Sequence, residues 1–291
     1  MMSVAIDEQL VLFPSESAIL AGILAVPARP NGYAVVLPWG ASPLPSSGRN
    51  RERTRVARAL AEQGFHALRF DYRGVGESDG DLRRTSMAAP HTADIIAACD
   101  WLTSQGLSRV VIVANCFGSW SSLMAAPSLP ALQGIALVNG PVWRDHSQVR
   151  ASRSWRWWTR KLREFDWSKL RSAERRAYYR KLVGTTAASL VRMVRPRRLA
   201  SGSNGSRYSR AVRYLLDRGV PTFLMYGDDD FRADFEWELE HGLRPLIEKV
   251  EANRLVTVPE QLTAWGAEAQ NVVLGELLPW LRDLPVLQGN R

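Results

Sequence analysis

The sequence is poor in the residues that build metal sites and disulfide frameworks. Its 291 residues include only two cysteines, Cys99 and Cys116, and only four histidines. Two cysteines provide neither a disulfide framework nor the paired spacing of a zinc site. We therefore expect no metal and no other cofactor.

The sequence also lacks a long apolar run and a signal-like start. No stretch reaches the roughly 18 consecutive apolar residues that suggest a membrane span. The first ten residues include Asp7 and Glu8, and they lack a cationic start followed by an apolar stretch. The sequence therefore predicts a cytoplasmic protein, with attachment at the membrane periphery as the second option.

Basic residues are concentrated in one segment. Residues 142–218 contain 21 Lys or Arg and 5 Asp or Glu, a net charge of +16. The whole chain carries +9, so the remainder carries −7. The same segment holds five of the eleven tryptophans: Trp143, Trp155, Trp157, Trp158 and Trp167. A mildly acidic body thus carries a strongly basic, aromatic segment.

Predicted strands and helices alternate along the rest of the chain. Apolar patterns predict strands at residues 10–13, 19–26, 33–37, 66–70, 109–114, 135–138, 222–226 and 254–258. Helical spacing predicts helices at residues 49–63, 92–104, 117–126, 234–250 and 266–281. This alternation implies right-handed crossovers and an α/β fold with a mainly parallel central sheet and helices on both faces. The basic segment interrupts the alternation as an insertion.

A candidate nucleophile lies where a predicted strand meets a predicted helix. Residues 114–118 read ANCFG. A nucleophile elbow needs this context, because a sharp strand-to-helix turn holds the nucleophile at the top of the sheet. Ala114 and Gly118 are small enough to avoid clashes on either side of Cys116. The amide of Phe117 would then face an oxyanion near the helix N-terminus. The alternative is a buried cysteine in a tight turn.

Two further strings resemble the α/β-hydrolase family. FDYRGVGES at residues 70–78 is similar to its D-x-R-G-x-G-x-S loop, which is structural in that family. YGDDD at residues 226–230 follows a predicted strand, and the resemblance implies that Asp230 takes the acid position, after the nucleophile in chain order. A solvated acidic turn is the alternative. The resemblance also implies that Gly40 and Ala41 contribute oxyanion-hole amides.

The resemblance can be narrowed to one group of hydrolases. The cysteine elbow, LVNGPVW at residues 137–143 and YYRKL at residues 178–182 resemble the hydrolases associated with exosortase systems. In this fold, an insertion at residues 142–218 is commonly a helical lid. The hydrolase core then comprises residues 1–141 and 219–291.

The histidine of the family's triad is missing. The resemblance places it on or near Leu262, and no histidine follows His241. A serine would be nearly inert without this base, whereas a small fraction of a cysteine is thiolate at neutral pH. His146, at the start of the insertion, is the candidate substitute base. We interpret His66, His91 and His241 as structural or surface residues.

Two functions therefore stay open. The first is a hydrolase or acyltransferase that acts on an ester or thioester through Cys116. The second is a catalytically inactive relative that binds an anionic ligand or partner. The basic insertion suits a small acyl substrate carried on coenzyme A or acyl carrier protein, an anionic membrane surface or an acidic glycan. Nucleic acid ranks lower because this fold rarely binds it, and a solvated helical face is the plain alternative.

Overall fold

Strands and helices alternate in the structure as they do in the sequence pattern. The computed structural model describes residues 6–40, 45–81, 88–142, 206–227, 231–262 and 267–284. The strands are β1 (Asp7–Ser15), β2 (Ala18–Val26), β3 (Ala34–Val36), β4 (His66–Phe70), β5 (Val110–Asn115), β6 (Leu132–Val138), β7 (Thr222–Tyr226) and β8 (Arg254–Thr257). The helices are α1 (Glu52–Glu62), α2 (Thr92–Ser104), α3 (Phe117–Ala125), α4 (Arg207–Asp217), α5 (Arg232–Glu238), α6 (Arg244–Glu248) and α7 (Ala267–Arg282).

The eight strands form one sheet in the order β1-β2-β4-β3-β5-β6-β7-β8. The hairpin β1–β2 is antiparallel, and β2 pairs antiparallel with β4. Every other pairing is parallel. The predicted mainly parallel sheet is therefore confirmed. Asn115 is in register with Val138, so the chain leaves β5 and β6 side by side at the carboxyl edge. In open α/β sheets this edge is where ligands bind.

Both faces of the sheet are covered by helices, as predicted. On one face, Ile112 and Leu137 lie in an apolar cluster with Ile95 of α2 and Trp120 of α3. On the other face, the cluster contains Val111 and Val113 with Val56 of α1 and Val273 of α7, as well as Phe223. Central strands buried on both faces explain why β3, β5 and β6 have nearly continuous apolar sequences rather than alternating ones.

The loop after β4 is braced by buried polar contacts. The Arg73 guanidinium donates to Asp94 Oδ1 on α2 from Nε (2.9 Å) and Nη2 (2.6 Å). It also donates to Ser15 Oγ at 2.9 Å and to Glu16 Oε2 at 2.7 Å. Gly76 has φ +57°, and a Cβ there would collide with the Asp71 carboxylate. The loop at residues 70–78 thus has the structural role that the resemblance implies.

One predicted helix is interrupted. Residues 234–250 were expected to form a single helix, and that prediction is wrong. The structure instead has α5, a π-type turn at Leu239–Leu243, and α6. The break falls at Gly242, whose φ of 103° is incompatible with a continuous helix. Pro245 then lies in the first turn of α6, where its missing N–H is tolerated.

Only the last part of the predicted insertion is described. Its helix α4 contacts α3, and Tyr208, Val212 and Leu215 are buried in the core. Arg207–Arg291 and Met1–Trp143 form one compact unit by their contacts. Residues 143–205 lie outside the described residues, so the helical lid stays a prediction. Within the described ranges, no helix is long and apolar enough to cross a membrane.

Candidate active site

Cys116 occupies a strained turn between β5 and α3. Its backbone angles are φ 51° and ψ −126°. A non-glycine residue in such a conformation costs on the order of 1–3 kcal/mol, and it persists where the surroundings over-determine it. Here the Cys116 amide donates to Val138 O at 2.9 Å, and its carbonyl accepts from Ser119 N at 3.0 Å. The residue is partly exposed, and its thiol is not in a disulfide. This is the geometry of a nucleophile elbow.

Close packing around the elbow explains its small residues. A Cβ on Gly118 would lie 2.5 Å from Pro38 O and 2.7 Å from Trp39 O, so any side chain there would push the β3 loop away. Ala114 is fully buried in the core. Its carbonyl accepts the Ser119 hydroxyl at 3.1 Å. The turn is therefore tied to the segment that follows β3.

The loop after β3 brings Gly40 beside the thiol. A Cβ built on Gly40 would be 3.7 Å from Cys116 Sγ. The loop is also fixed by a hydrogen bond, which the Tyr72 hydroxyl donates to Trp39 O at 3.1 Å. Phe117 begins α3, where the first backbone N–H groups have no partner within the helix. Gly40 and Phe117 thus both adjoin Cys116. Ala41, the remaining predicted oxyanion residue, lies outside the described residues.

A buried arginine lies behind the same loop. Arg53 is only 3% exposed, and its guanidinium carbon is 5.7 Å from the centre of the Trp39 ring. Burial lowers the pKa of Arg53, while nearby Tyr72, Glu52 and Asp71 act to raise it. The sequence did not indicate this position for Arg53, because an arginine in an amphipathic helical pattern is usually a surface residue.

The segment that leads to the predicted acid position is described up to Gly227. β7 ends at Tyr226, beside β6, and Gly227 N donates to Asn139 Oδ1 at 2.9 Å. Asp230 lies outside the described residues. The chain therefore leaves β7 at the same edge of the sheet at which it leaves β5 for Cys116. Asn139 was also missed as a site residue. The available signal was a polar side chain directly after an apolar parallel strand.

The predicted position of the missing base is apolar in the structure as well. Leu262 is fully buried, in the same apolar cluster as Trp39 and Val273. An imidazole at this position would have to replace a core side chain. His146, the candidate substitute base, lies outside the described residues.

The other three histidines have structural surroundings. His66 is in register with Ala34, which is itself in register with Val110 at the start of β5. It therefore lies near the opposite end of the sheet from Cys116, about 20 Å away at 3.3 Å per residue. The His91 ring stacks on Tyr72 with centroids 4.1 Å apart. His241 stacks on Trp237, whose carbonyl is 2.7 Å from His241 Nδ1. Among the described residues, no group of three His, Cys, Asp or Glu could hold a metal ion.

The sheet and the strained turn after β5 define the chain as an α/β hydrolase by class. The chain belongs to the serine aminopeptidase S33 family of hydrolases, whose model matches residues 49–238. It is similar in fold to an esterase of Pyrococcus furiosus, with a TM-score of 0.61 at 14% identity over 94% of this chain and 92% of that one. It is also similar to the α/β hydrolase GrgF of Penicillium sp. sh18, with a TM-score of 0.59 at 15% identity over 96% and 99% of the two chains.

Two further comparisons bear on fold and sequence. A dienelactone hydrolase of Anabaena variabilis has a TM-score of 0.57 at 16% identity, over 96% of this chain and 98% of that one. Among curated proteins, the chain is 47% identical over 49 residues to an uncharacterized 31.7 kDa protein of the Escherichia coli traX-finO intergenic region. That match spans 17% of this chain and 17% of the relative. The predicted α/β-hydrolase fold is thus confirmed, and hydrolase function is supported at the level of the family.

Proposed function

We propose that this chain is an ester or thioester hydrolase or acyltransferase that uses the Cys116 thiolate as its nucleophile. The observation that carries the proposal is the position of Cys116, a partly exposed residue in the strained turn whose sulfur lies beside Gly40. In this proposal the amides of Phe117 and of the loop 39–41 hold the oxyanion. Asp230 takes the acid position, and His146 is the candidate base.

The chemistry proceeds in two steps. The Cys116 sulfur attacks the carbonyl carbon, a C–S bond forms, and the carbonyl oxygen becomes an oxyanion held by backbone amides. The tetrahedral species then collapses, the original C–O or C–S bond breaks, and an acyl group stays on the sulfur. Water or an acceptor nucleophile releases the acyl group, gives up a proton and restores the thiolate.

The leucine at the base position favours thioesters over esters. A departing thiolate has a pKa of about 8.5 and leaves as an anion, so the first step needs no proton donor. A departing alkoxide is far more basic and needs a general acid. Since Leu262 is buried where the resemblance expects the histidine, the simplest substrate for this site is a thioester. Release of the acyl group to water is then the slow step.

The nature of the carrier follows from charge. Residues 142–218 carry a net +16, which supports an acyl group attached to coenzyme A or acyl carrier protein, both of which are anionic. An anionic membrane surface and an acidic glycan are the other partners that this charge would suit. The short strings at residues 137–143 and 178–182 support placing the chain among the exosortase-associated hydrolases.

A non-catalytic binding protein is the second candidate function. The observation that favours it is again the buried Leu262, since a site without a base turns over slowly or not at all. In that case Cys116 marks a retained pocket and the anionic partner is a ligand rather than a substrate.

Acylation of the thiol distinguishes the two functions. The protein is incubated with an acyl-coenzyme A thioester, and the acyl adduct is measured by intact-mass spectrometry and peptide mapping. We expect a single adduct on Cys116, which Cys116→Ala abolishes. Cys99→Ala is the matched control, because Cys99 is buried and burial raises the pKa of its thiol. Equal labelling of the parent and Cys116→Ala would exclude Cys116 as the nucleophile. Binding of the thioester without an adduct would favour the binding protein.

A further inference from the structure

The residues after β6 join the nucleophile elbow to the end of β7. Val138 O accepts hydrogen bonds from Cys116 N at 2.9 Å and from Ser119 Oγ at 3.3 Å. Gly140 lies tightly against α3, because a Cβ on it would be 2.8 Å from Ser119 Cβ. Its carbonyl accepts the Tyr226 hydroxyl at 2.8 Å. Three consecutive residues therefore contact both the turn that holds the thiol and the last residue of β7.

Asn139, between these two residues, makes the direct connection. It is 1% exposed and has φ 48°, a left-handed conformation that asparagine tolerates better than most residues. Its backbone N–H donates to Met225 O at 2.8 Å, and its Oδ1 accepts from Gly227 N at 2.9 Å. One residue thus bonds the chain on both sides of Tyr226, once through its backbone and once through its side chain.

We propose that Asn139 is a positioning residue whose side-chain oxygen fixes the start of the turn after β7 relative to Cys116. The inference rests on the proposed function, in which the acid position follows Gly227 by three residues. A buried N–H that loses its acceptor is costly to leave unpaired, so this bond holds Gly227 at one point. The neighbouring Val138 holds the Cys116 amide, and the distance between the thiol and the start of the turn is set through two adjacent residues.

Three variants separate positioning from stability. Asn139→Gly keeps the left-handed conformation accessible and removes the acceptor. Asn139→Asp keeps an acceptor oxygen at the same place. Asn253→Gly is the matched control, because Asn253 Oδ1 accepts Thr222 N at 2.9 Å at the opposite end of β7. Each glycine variant therefore removes a side-chain acceptor from one backbone N–H at one end of β7, and Asn253→Gly also removes the bond from Asn253 Nδ2 to Ile247 O at 3.1 Å.

Three measurements are made on each variant. Amide hydrogen exchange reports on Gly227 and Thr222, acyl-coenzyme A kinetics report the rate and KM of Cys116 acylation, and alkylation by iodoacetamide reports the pH dependence of the thiol. In Asn139→Gly we expect loss of Gly227 protection and an acylation rate at least about 10-fold lower at unchanged KM, since a misplacement of about 1 Å can cost 100-fold. On the proposed function, in which Asp230 takes the acid position, the alkylation midpoint should fall, because a carboxylate that is held less closely repels the thiolate less. Asn139→Asp should keep the Gly227 protection, while its added negative charge raises the alkylation midpoint instead of lowering it. Asn253→Gly should lose Thr222 protection alone.

Each contrary result has a distinct meaning. The proposal is overturned if Asn139→Gly loses Gly227 protection but keeps the parent's rate and alkylation profile, or if Asn253→Gly slows acylation equally. If the parent forms no acyl adduct, the proposed function fails, and the pH profile of alkylation then decides the positioning role. A lower alkylation midpoint in Asn139→Gly but not in Asn253→Gly supports that role. An unchanged midpoint in Asn139→Gly rejects it. If Asn139→Gly does not fold, Asn139→Ser carries the test, because its shorter side chain withdraws the acceptor without adding a charge, and lost Gly227 protection at the parent's rate overturns the proposal.

Discussion

Truncation of Arg73 tests whether the loop after β4 is structural rather than catalytic. The Arg73 and Asp94 side chains are 4% and 1% exposed, and they share two hydrogen bonds of 2.6 and 2.9 Å. Arg73→Ala removes these bonds, the bond to Ser15 and the ion pair with Glu16. It leaves the buried Asp94 carboxylate without its guanidinium partner, with hydrogen bonds only from Ser15 Oγ at 2.8 Å and from the backbone N–H of residue 73 at 3.2 Å among those described.

The magnitude follows from burial. Removal of one partner from a buried, hydrogen-bonded ion pair costs about 3–5 kcal/mol, because the remaining charge is left uncompensated. The truncation of an exposed pair costs less than about 1 kcal/mol. Arg244 and Glu248 form such a pair, with side chains 52% and 55% exposed, so Arg244→Ala is the control. A loss of about 4 kcal/mol is a large fraction of the 5–15 kcal/mol that is typical of folded domains.

Urea unfolding of the parent, Arg73→Ala, Asp94→Ala and the double variant measures these free energies. We expect the double variant to be less destabilised than the sum of the two single changes, since it leaves no uncompensated charge. Acylation of Cys116 per folded molecule should be unchanged in Arg73→Ala. A free-energy loss below about 1 kcal/mol would refute the buried-pair reasoning. A selective loss of acylation at normal stability would give the loop a catalytic role.

Three further predictions concern the thiol, a buried histidine and the insertion. Cys116→Ser should acylate at least about 100-fold more slowly, since a hydroxyl needs the general base that Leu262 replaces, and an unchanged rate in the same mass assay would reveal a hidden base. Burial lowers the pKa of His66 below its usual 6.5. The unfolded chain therefore binds the proton more readily, and the free energy of unfolding should fall as the pH drops below about 6.5. In His66→Phe this part of the pH dependence should be absent, and a pH profile identical to the parent's would contradict the prediction. Binding to acyl carrier protein, anionic vesicles or an acidic polysaccharide should weaken as salt rises, because the Debye length is about 8 Å at physiological salt. Salt-independent binding would exclude charge as the cause. Whether the insertion makes the contact is tested by changing Arg195, Arg197 and Arg198 together to Ser and measuring the same binding.

Local pattern was sufficient for the class of fold and for the position of the elbow. The bounds predicted at residues 66–70, 92–104 and 222–226 match β4, α2 and β7, because apolar periodicity reports directly on which face of a segment is buried. Cys116 could be identified because an elbow needs only a strand, a helix and two small neighbours, all of which are adjacent in sequence. The helix expected at residues 234–250 is not continuous. The apolar residues keep helical spacing on both sides of Gly242, but the backbone of Gly242 is not helical.

The sequence by itself determined the order of strands and helices, the elbow and the absence of a histidine after the last strand. Only the tertiary structure decided that Leu262 is part of the core, because it shares an apolar cluster with Trp39, more than 200 positions away. The bond between Asn139 and Gly227 spans 88 positions. Such contacts leave no mark on local periodicity, since they depend on which strands become neighbours in the sheet. That neighbourhood is fixed only when the whole chain has folded.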